Sequence, residues 1–231
     1  MNKPQGNMYA YIDGTYNPIK GKCHYECQYC FMIAMRLRFG QDPTLRLDEK
    51  ELKASLGSGN FIFVGSSTDE FAENVPSEWI IKVLDHLNEY PNNTYQLQSK
   101  NPARFLEFLT HPLFCDKDRV IFCTTLESDI DRPEISKAPT MGARVAAMQG
   151  LSKNGFQTMV TVEPMMAFSS PQNFAEMIAA CNPMQVNIGM NTSRGVKLPE
   201  PSQAEYEALI LELRKQNINI HLKKNIDRMV K

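Results

Sequence analysis

The sequence predicts an α/β protein built as an open or incomplete barrel. Short strand-like segments alternate with helical ones along nearly the whole chain. Their starts recur at residues 61, 94, 120, 156, 184 and 218, the spacing of a βα unit. From TYQLQ (94–98) onward the strands carry polar side chains on one parity and mostly apolar ones on the other. Regular strand–helix alternation implies a parallel sheet with right-handed crossovers. Six or seven units are too few for a complete eight-unit barrel. The competing flat, doubly wound sheet usually carries a phosphate-binding glycine loop after its first strand, and neither GxGxxG nor GxxxxGKS occurs here.

Taken in order, MYAYID (8–13) reads as the first strand, ending near Gly14, and a cysteine-bearing loop then leads into a helix over 28–38. FIFV (61–64) is closed by Gly65 and followed by a helix from Pro76, a residue suited to a first helical turn. TYQLQ (94–98) precedes a helix over 102–109, VIFCTTL (120–126) one over 141–153, and FQTMVTV (156–162) one over 171–180. MQVNIGM (184–190) precedes a helix over 202–215, and INIHL (218–222) ends the series. No repeat, low-complexity tract or long linker interrupts it, so the expectation is one domain over 1–231.

The parity pattern says where a site belongs. Strands of a parallel sheet are buried on both faces and ordinarily read as continuous apolar runs. Here one parity gives Gln96, Gln98 and Lys100, then Cys123, Thr125 and Glu127, then Thr161 and Glu163, then Gln185 and Asn187, then Asn219, His221 and Lys223. The other gives Leu97, Phe122, Val160, Val162, Val186, Ile188, Ile218 and Ile220. Side chains two apart share a face. The apolar face suits packing against helices, and the polar face predicts a lumen holding an occupied cavity, because buried polar groups need partners. A solvated face of an antiparallel sheet is the alternative.

Composition sets outer limits. The 231 residues carry 25 basic and 26 acidic side chains, so total charge demands no nucleic-acid partner. No apolar run approaches membrane-helix length, and the N-terminal stretch lacks the apolar core of a signal peptide. A reducing, cytoplasmic compartment is expected, where the six cysteines stay reduced or bind metal.

Three of them, Cys23, Cys27 and Cys30, fall within CHYECQYC. Structural zinc takes four ligands, and no second cysteine pair or ligand-spaced histidine pair is available; His24 adjoins Cys23, which strains a tetrahedral site. A redox pair of Cys27 and Cys30 leaves Cys23 unexplained. A 4Fe–4S cube is normally held by four thiolates, so three leave one iron for a small molecule.

The pattern Cys23-x3-Cys27-x-Tyr29-Cys30 resembles the signature of radical S-adenosylmethionine (SAM) enzymes, including the aromatic before the last cysteine and the position after the first strand. The resemblance implies a partial (β/α)6 TIM-type barrel, the radical SAM fold. It implies a 4Fe–4S cluster on the three cysteines and S-adenosylmethionine on the free iron, cleaved reductively to a 5′-deoxyadenosyl radical that abstracts hydrogen from substrate. DGTYNPIKGKCHYECQYCF (13–31), GSSTDEFAENVPSEWI (65–80), YQLQSKNPARF (95–105), TVEPM (161–165) and the closing NINIHLKK are similar to a phage-borne family of small radical SAM proteins distantly related to spore photoproduct lyase, a DNA-repair enzyme. Some phage radical SAM proteins are implicated in hypermodified thymidines. That implies a nucleoside or DNA substrate, an isomerase- or lyase-type reaction, and a host flavodoxin or ferredoxin as reductant.

By the same resemblance Tyr29 packs beside the cluster or adenine, and the segment after the second strand, with Ser66, Ser67 and Asp69, contacts the SAM amino group; it departs from the common Gly-Gly-Glu form. Glu127 and Ser128 stand where the ribose hydroxyls are often held, against the alternative of a helix-capping acid. Asn187 and Asn191 are candidates for adenine or substrate. Parity assigns Glu163, Lys100 and Lys223 to the catalytic set, with Lys100, Lys223 and Arg194 as candidate cationic partners of Glu163; a structural buried ion pair is the competing reading. A peptide or small-metabolite substrate, and a non-catalytic zinc- or cluster-stabilised binding protein, are the alternative functions.

Overall fold

The computed structural model describes residues 1–3, 6, 8–193 and 195–229, the last two by backbone only. Among these, seven strands form one sheet in which every pairing is parallel. The chain enters at β1 (Gly14–Tyr16), makes a small antiparallel pair from β2 (Ile19–Lys20) and β3 (Arg46–Leu47), and carries α1 (Phe31–Phe39) between them. β4 (Phe61–Val64), α2 (Ser77–Asn88), β5 (Thr94–Gln98), α3 (Ala103–Leu106), β6 (Val120–Thr125), α4 (Met141–Lys153), β7 (Gln157–Val162), α5 (Pro171–Ala180), β8 (Gln185–Ile188), α6 (Gln203–Lys215) and β9 (Ile220–Leu222) follow. The sheet order is β1-β4-β5-β6-β7-β8-β9, with β1 and β9 at the two edges, so the barrel is open as expected.

Local chemistry starts the helices cleanly. Thr140 and Ser170 cap α4 and α5 by accepting from the third residue on, and Pro171 opens α5. Ser202 and Glu205 make a reciprocal capping box at α6. The helices bury the apolar parity of the strands. Phe105, Phe114 and Phe156 surround Phe122 of β6, ring centroids 4.7 to 5.5 Å away.

The register confirms that the polar parity shares the other face: Gln98 opposes Cys123, Thr125 opposes Thr161, Thr161 opposes Asn187, and Asn187 opposes His221. Two expectations are corrected there. MYAYID is not a strand; the first strand begins at Gly14, and the preceding segment runs into the lumen. The lumen is accordingly not one open cavity. Tyr9 and Tyr11 stack with centroids 5.4 Å apart and fill its middle. Tyr9 Oη lies 3.0 Å from Thr161 Oγ1, while Tyr11 Oη donates to Gln96 Oε1 at 3.2 Å and accepts from Asn187 Nδ2 at 3.1 Å. Below them Ile121, Cys123 and Met159 form a small dry cluster. The polar side chains of the middle layer thus find their hydrogen bonds in the chain's own N-terminal segment.

Candidate functional site

What the tyrosines leave free is a cavity of about 480 Å³ at the C-terminal ends of the strands, with Tyr9 in its lining. Loops after parallel strands are where barrel folds place chemistry. All three clustered cysteines line it.

The cysteine loop is fixed at many points. Gly21, at φ +118, lets it pass the 44–45 segment; a Cβ there would fall 2.4 Å from the Thr44 carbonyl oxygen. Thr68 Oγ1 and Arg36 both donate to the Gly21 carbonyl, and Lys22 N donates to Pro43 O. On the other side the 134–137 segment clasps it: Gln28 N donates to Ile135 O, Lys137 N to Tyr25 O, and Ser136 Oγ lies 3.1 Å from Cys27 Sγ. Cys30 is the N-cap of α1, which therefore starts at Phe31, later than the helix expected over 28–38. Burial, then the Asp69 carboxylate, pushes the Cys23 thiol up to about 12, and burial raises Cys30. Among the described residues no three His, Cys, Asp or Glu side chains converge where one metal ion would sit. The donor set itself suits a cube: three thiolates on one short loop, each able to take a separate iron corner.

Each remaining candidate has a definite place. Ser66 and Ser67 line the cavity, and both hydroxyls donate at 3.1 Å to Asn17 Oδ1, which also accepts from Ser67 N. Asn17 was not foreseen; it follows β1 and shapes the turn after β4. Asp69 also lines the cavity but acts as a brace. Its Oδ1 accepts from Ser99 Oγ and Phe71 N, and its Oδ2 from Lys100 N. Burial raises its pKa, against these hydrogen bonds.

Lys100 enters the cavity wall and pairs with Glu127 Oε1 at 2.8 Å, not with Glu163. Glu127 is 1% exposed, takes Arg144 on Oε2 at 2.8 Å, and accepts the Tyr29 hydroxyl as well. Both oxygens, expected to meet vicinal hydroxyls, thus already take donors from the chain itself. Tyr29 lines the cavity beside the cysteines, its ring centroid 5.4 Å from Lys100 Nζ. Ser128 is fully buried; it donates to Ala167 O and accepts from Ile130 N. Asn187 is fully buried below the cavity, bonded to Tyr11 and Gln185. Neither Ser128 nor Asn187, both expected at the cofactor, is among the residues lining this cavity.

Glu163 lines the cavity, and its partner is Lys223, at 2.6 Å. Arg194, the third expected partner, lies outside the described residues. Asn225 Nδ2 donates to Glu163 Oε1 at 3.2 Å, and Gly189 makes room for that carboxylate: a Cβ there would lie 2.8 Å from Oε1. Lys223 Nζ stands 4.4 Å from the Tyr9 ring centroid, within cation–π range. Asn191 lines the cavity, and Cys123 is buried in the lumen floor. Near the cysteine loop Lys20 is tied to Asp48 and Glu51, and Lys22 to Glu26.

Arg144 was missed by sequence reading although a signal exists. Met141, Arg144, Met148 and Leu151 fall on one face of α4, and all are buried. An arginine on an apolar stripe needs a buried acceptor. Glu127 supplies it, and two backbone carbonyls, Thr125 and Pro139, supply more.

Burial would raise Glu127, but Lys100 and Arg144 outweigh it and hold the carboxyl at about 2. A depressed folded pKa gives stability that is present above the unfolded value near 4.3 and is lost as pH falls from there toward 2. We expect roughly 3 kcal/mol of stability to disappear across that window. Urea titrations at pH 6 and pH 3 check this: E127Q should be less stable than the native chain at pH 6 and should have lost about half of that deficit at pH 3.

The model of a family described as protein of unknown function (DUF5131) matches residues 7–165. No curated protein matches the chain. Among solved structures it is similar to a mutant of spore photoproduct lyase, with TM-score 0.66 and 9% identity over 94% of this chain and 78% of that one. A spore photoproduct lyase mutant with bound AdoMet and dinucleoside spore photoproduct gives TM-score 0.58 and 11% identity, over 93% of this chain and 64% of that one. A radical SAM methyltransferase from Sphaerobacter thermophilus gives TM-score 0.59 and 15% identity, over 95% and 69%. The likeness is one of fold, the radical SAM partial barrel. The family match covers more than half of the sequence, and the chain belongs to the DUF5131 family.

Proposed function

We propose that the protein is a radical SAM enzyme that holds a 4Fe–4S cluster on Cys23, Cys27 and Cys30 and acts on a nucleobase-containing substrate. One observation carries this reading. Three thiols from a single short loop line one cavity at the C-terminal ends of the strands, and a four-iron cube takes three thiolates with one corner left over. When bound, such a cluster supplies one electron that splits S-adenosylmethionine into methionine and a 5′-deoxyadenosyl radical.

The chain's own residues hold, orient and shield. Lys100 presents a cation beside the cysteines, suited to the carboxylate of S-adenosylmethionine. Ser66 and Ser67 offer hydroxyl oxygens whose protons point at Asn17, leaving lone pairs for an amino group. Asp69 fixes Lys100 through its backbone amide. Tyr9 closes the floor, which keeps water from a radical that attacks most C–H bonds. The Glu163–Lys223 pair, with Gln98, Thr125 and Asn191, gives the far wall both donors and acceptors, as the edge of a base requires. A dinucleoside bound to a fold neighbour supports that substrate class. Within it, thymidine hypermodification by rearrangement in a phage is the specific form we favour. A flavodoxin or ferredoxin in the host cytoplasm would be the electron source; no helix of the described residues is long and apolar enough to cross a membrane.

The test is anaerobic reconstitution with iron and sulfide, then dithionite and S-adenosylmethionine. A brown protein that releases 5′-deoxyadenosine is expected. Deuterated nucleosides and DNA then report substrate class: label in 5′-deoxyadenosine supports the nucleobase reading, and its absence from every nucleic-acid candidate removes it. A colourless protein loaded with zinc removes the enzyme reading altogether.

A further inference from the structure

We infer that Arg144 is a positioning residue that sets the charge of the wall behind Cys27 and Cys30, and that through Glu127 and Lys100 it raises the reduction potential of the cluster held there. The inference rests on the cluster reading above and names a determinant of its redox behaviour.

Arg144 lies on α4, 3% exposed, and donates to Glu127 Oε2, Thr125 O and Pro139 O, each at 2.8 Å. The other Glu127 oxygen takes Lys100 Nζ at 2.8 Å and the Tyr29 hydroxyl. Glu127 would therefore be neutralised and hydrogen-bonded without the arginine. Burying a second cation carries a desolvation cost that neutrality does not require. What Arg144 adds is charge: one carboxylate against two cations leaves the three groups at +1, where Lys100 and Glu127 alone would sum to zero. Asp69, which faces Cys23, lowers either sum by one and leaves the difference unchanged.

That charge is delivered where it matters. Lys100 shares the cavity wall with Cys27 and Cys30. Tyr29 lies between those two cysteines in the chain and is hydrogen-bonded to Glu127. A buried positive charge favours the added electron on a thiolate-bound centre, and net charge and hydrogen bonding are among the levers that set Fe–S potentials.

The test is a dye-mediated redox titration of the reconstituted native chain and of R144Q, R144K and E127Q, followed by electron paramagnetic resonance of the reduced cluster. R144Q should shift the one-electron equilibrium toward the oxidised form by about tenfold, or about 59 mV. R144K should stay within about twofold of the native chain, since it keeps the charge and loses the fork of hydrogen bonds. E127Q should move the equilibrium the opposite way. Equal shifts in R144Q and R144K, same-sign shifts in R144Q and E127Q, or no shift in any variant would overturn the inference. If R144Q does not fold, the sign of the E127Q shift decides: an unchanged or lowered potential overturns it. A native chain that assembles no cubane overturns the underlying reading instead, and this inference with it.

Discussion

Alanine at Cys23, Cys27 or Cys30 is expected to give a colourless protein that cannot cleave S-adenosylmethionine. All three thiols come from one loop lining one cavity, and among the described residues no other cysteine shares that lining. Losing one leaves two iron corners without protein ligands, and a cube so held is lost during gel filtration. The rate should fall on the order of 10⁶-fold, the lower end of enzymatic acceleration, because no residue substitutes for the electron source. Controls sharpen the result. Cys115 is exposed and Cys181 is buried outside this cavity. C115S and C181A should remain brown and active. Iron and sulfide content per chain, with 5′-deoxyadenosine release, check both halves. Full colour in C23A, C27A or C30A would mean that the loop is not the ligand set.

Removing the lumen plug is the second large effect expected. Tyr9 and Tyr11 are stacked, and their hydroxyls serve Thr161, Gln96 and Asn187, all of which are buried. Truncating a buried aromatic to alanine costs about 3–5 kcal/mol, and stranding buried amides adds about 1–3 kcal/mol more. Y11A should therefore lie near the edge of folding, and Y11F, which keeps the ring and loses two hydrogen bonds, should cost about 1–3 kcal/mol. Y9A should keep more stability, because part of its ring already faces the cavity, but it should open the floor. We expect it to release 5′-deoxyadenosine without matching product. Urea unfolding of the three variants and the ratio of 5′-deoxyadenosine to product measure these effects separately.

The same tyrosines show where sequence reasoning fell short. Tyr and Ile fit a pleated, half-buried surface, so MYAYID reads as a strand. Nothing local reveals that the lumen of the folded sheet offers those hydroxyls better partners than a neighbouring strand would. Some bounds were legible, while INIHL and MQVNIGM read longer than β9 and β8, and the helix expected over 102–109 is only Ala103–Leu106. FIFV and TYQLQ fall on β4 and β5 residue for residue, and the capped helices α4 and α5 begin and end as read. There the periodicity, the N-cap residues and proline all agree.

For the site, parity placed Lys100, Glu163 and Lys223 toward the lumen correctly, and the Glu163–Lys223 pair was among those anticipated. Parity alone could not tell height along the axis. Asn187 shares the face of Glu163's strand end yet sits a layer lower, against Tyr11. Glu127 has the expected position and a different set of partners, because Arg144 arrives from a helix that the strand pattern does not describe. Pairings across distant elements are a property of the fold, and Arg144 was visible only as an anomaly on the stripe of α4.

Mössbauer spectroscopy of the anaerobically reconstituted, ⁵⁷Fe-labelled protein, with and without S-adenosylmethionine, tests the central claim most directly. The account predicts a 4Fe–4S cluster in which one iron changes its isomer shift when S-adenosylmethionine is added while three do not. A spectrum with no cubane, or with four irons that all ignore S-adenosylmethionine, would contradict it.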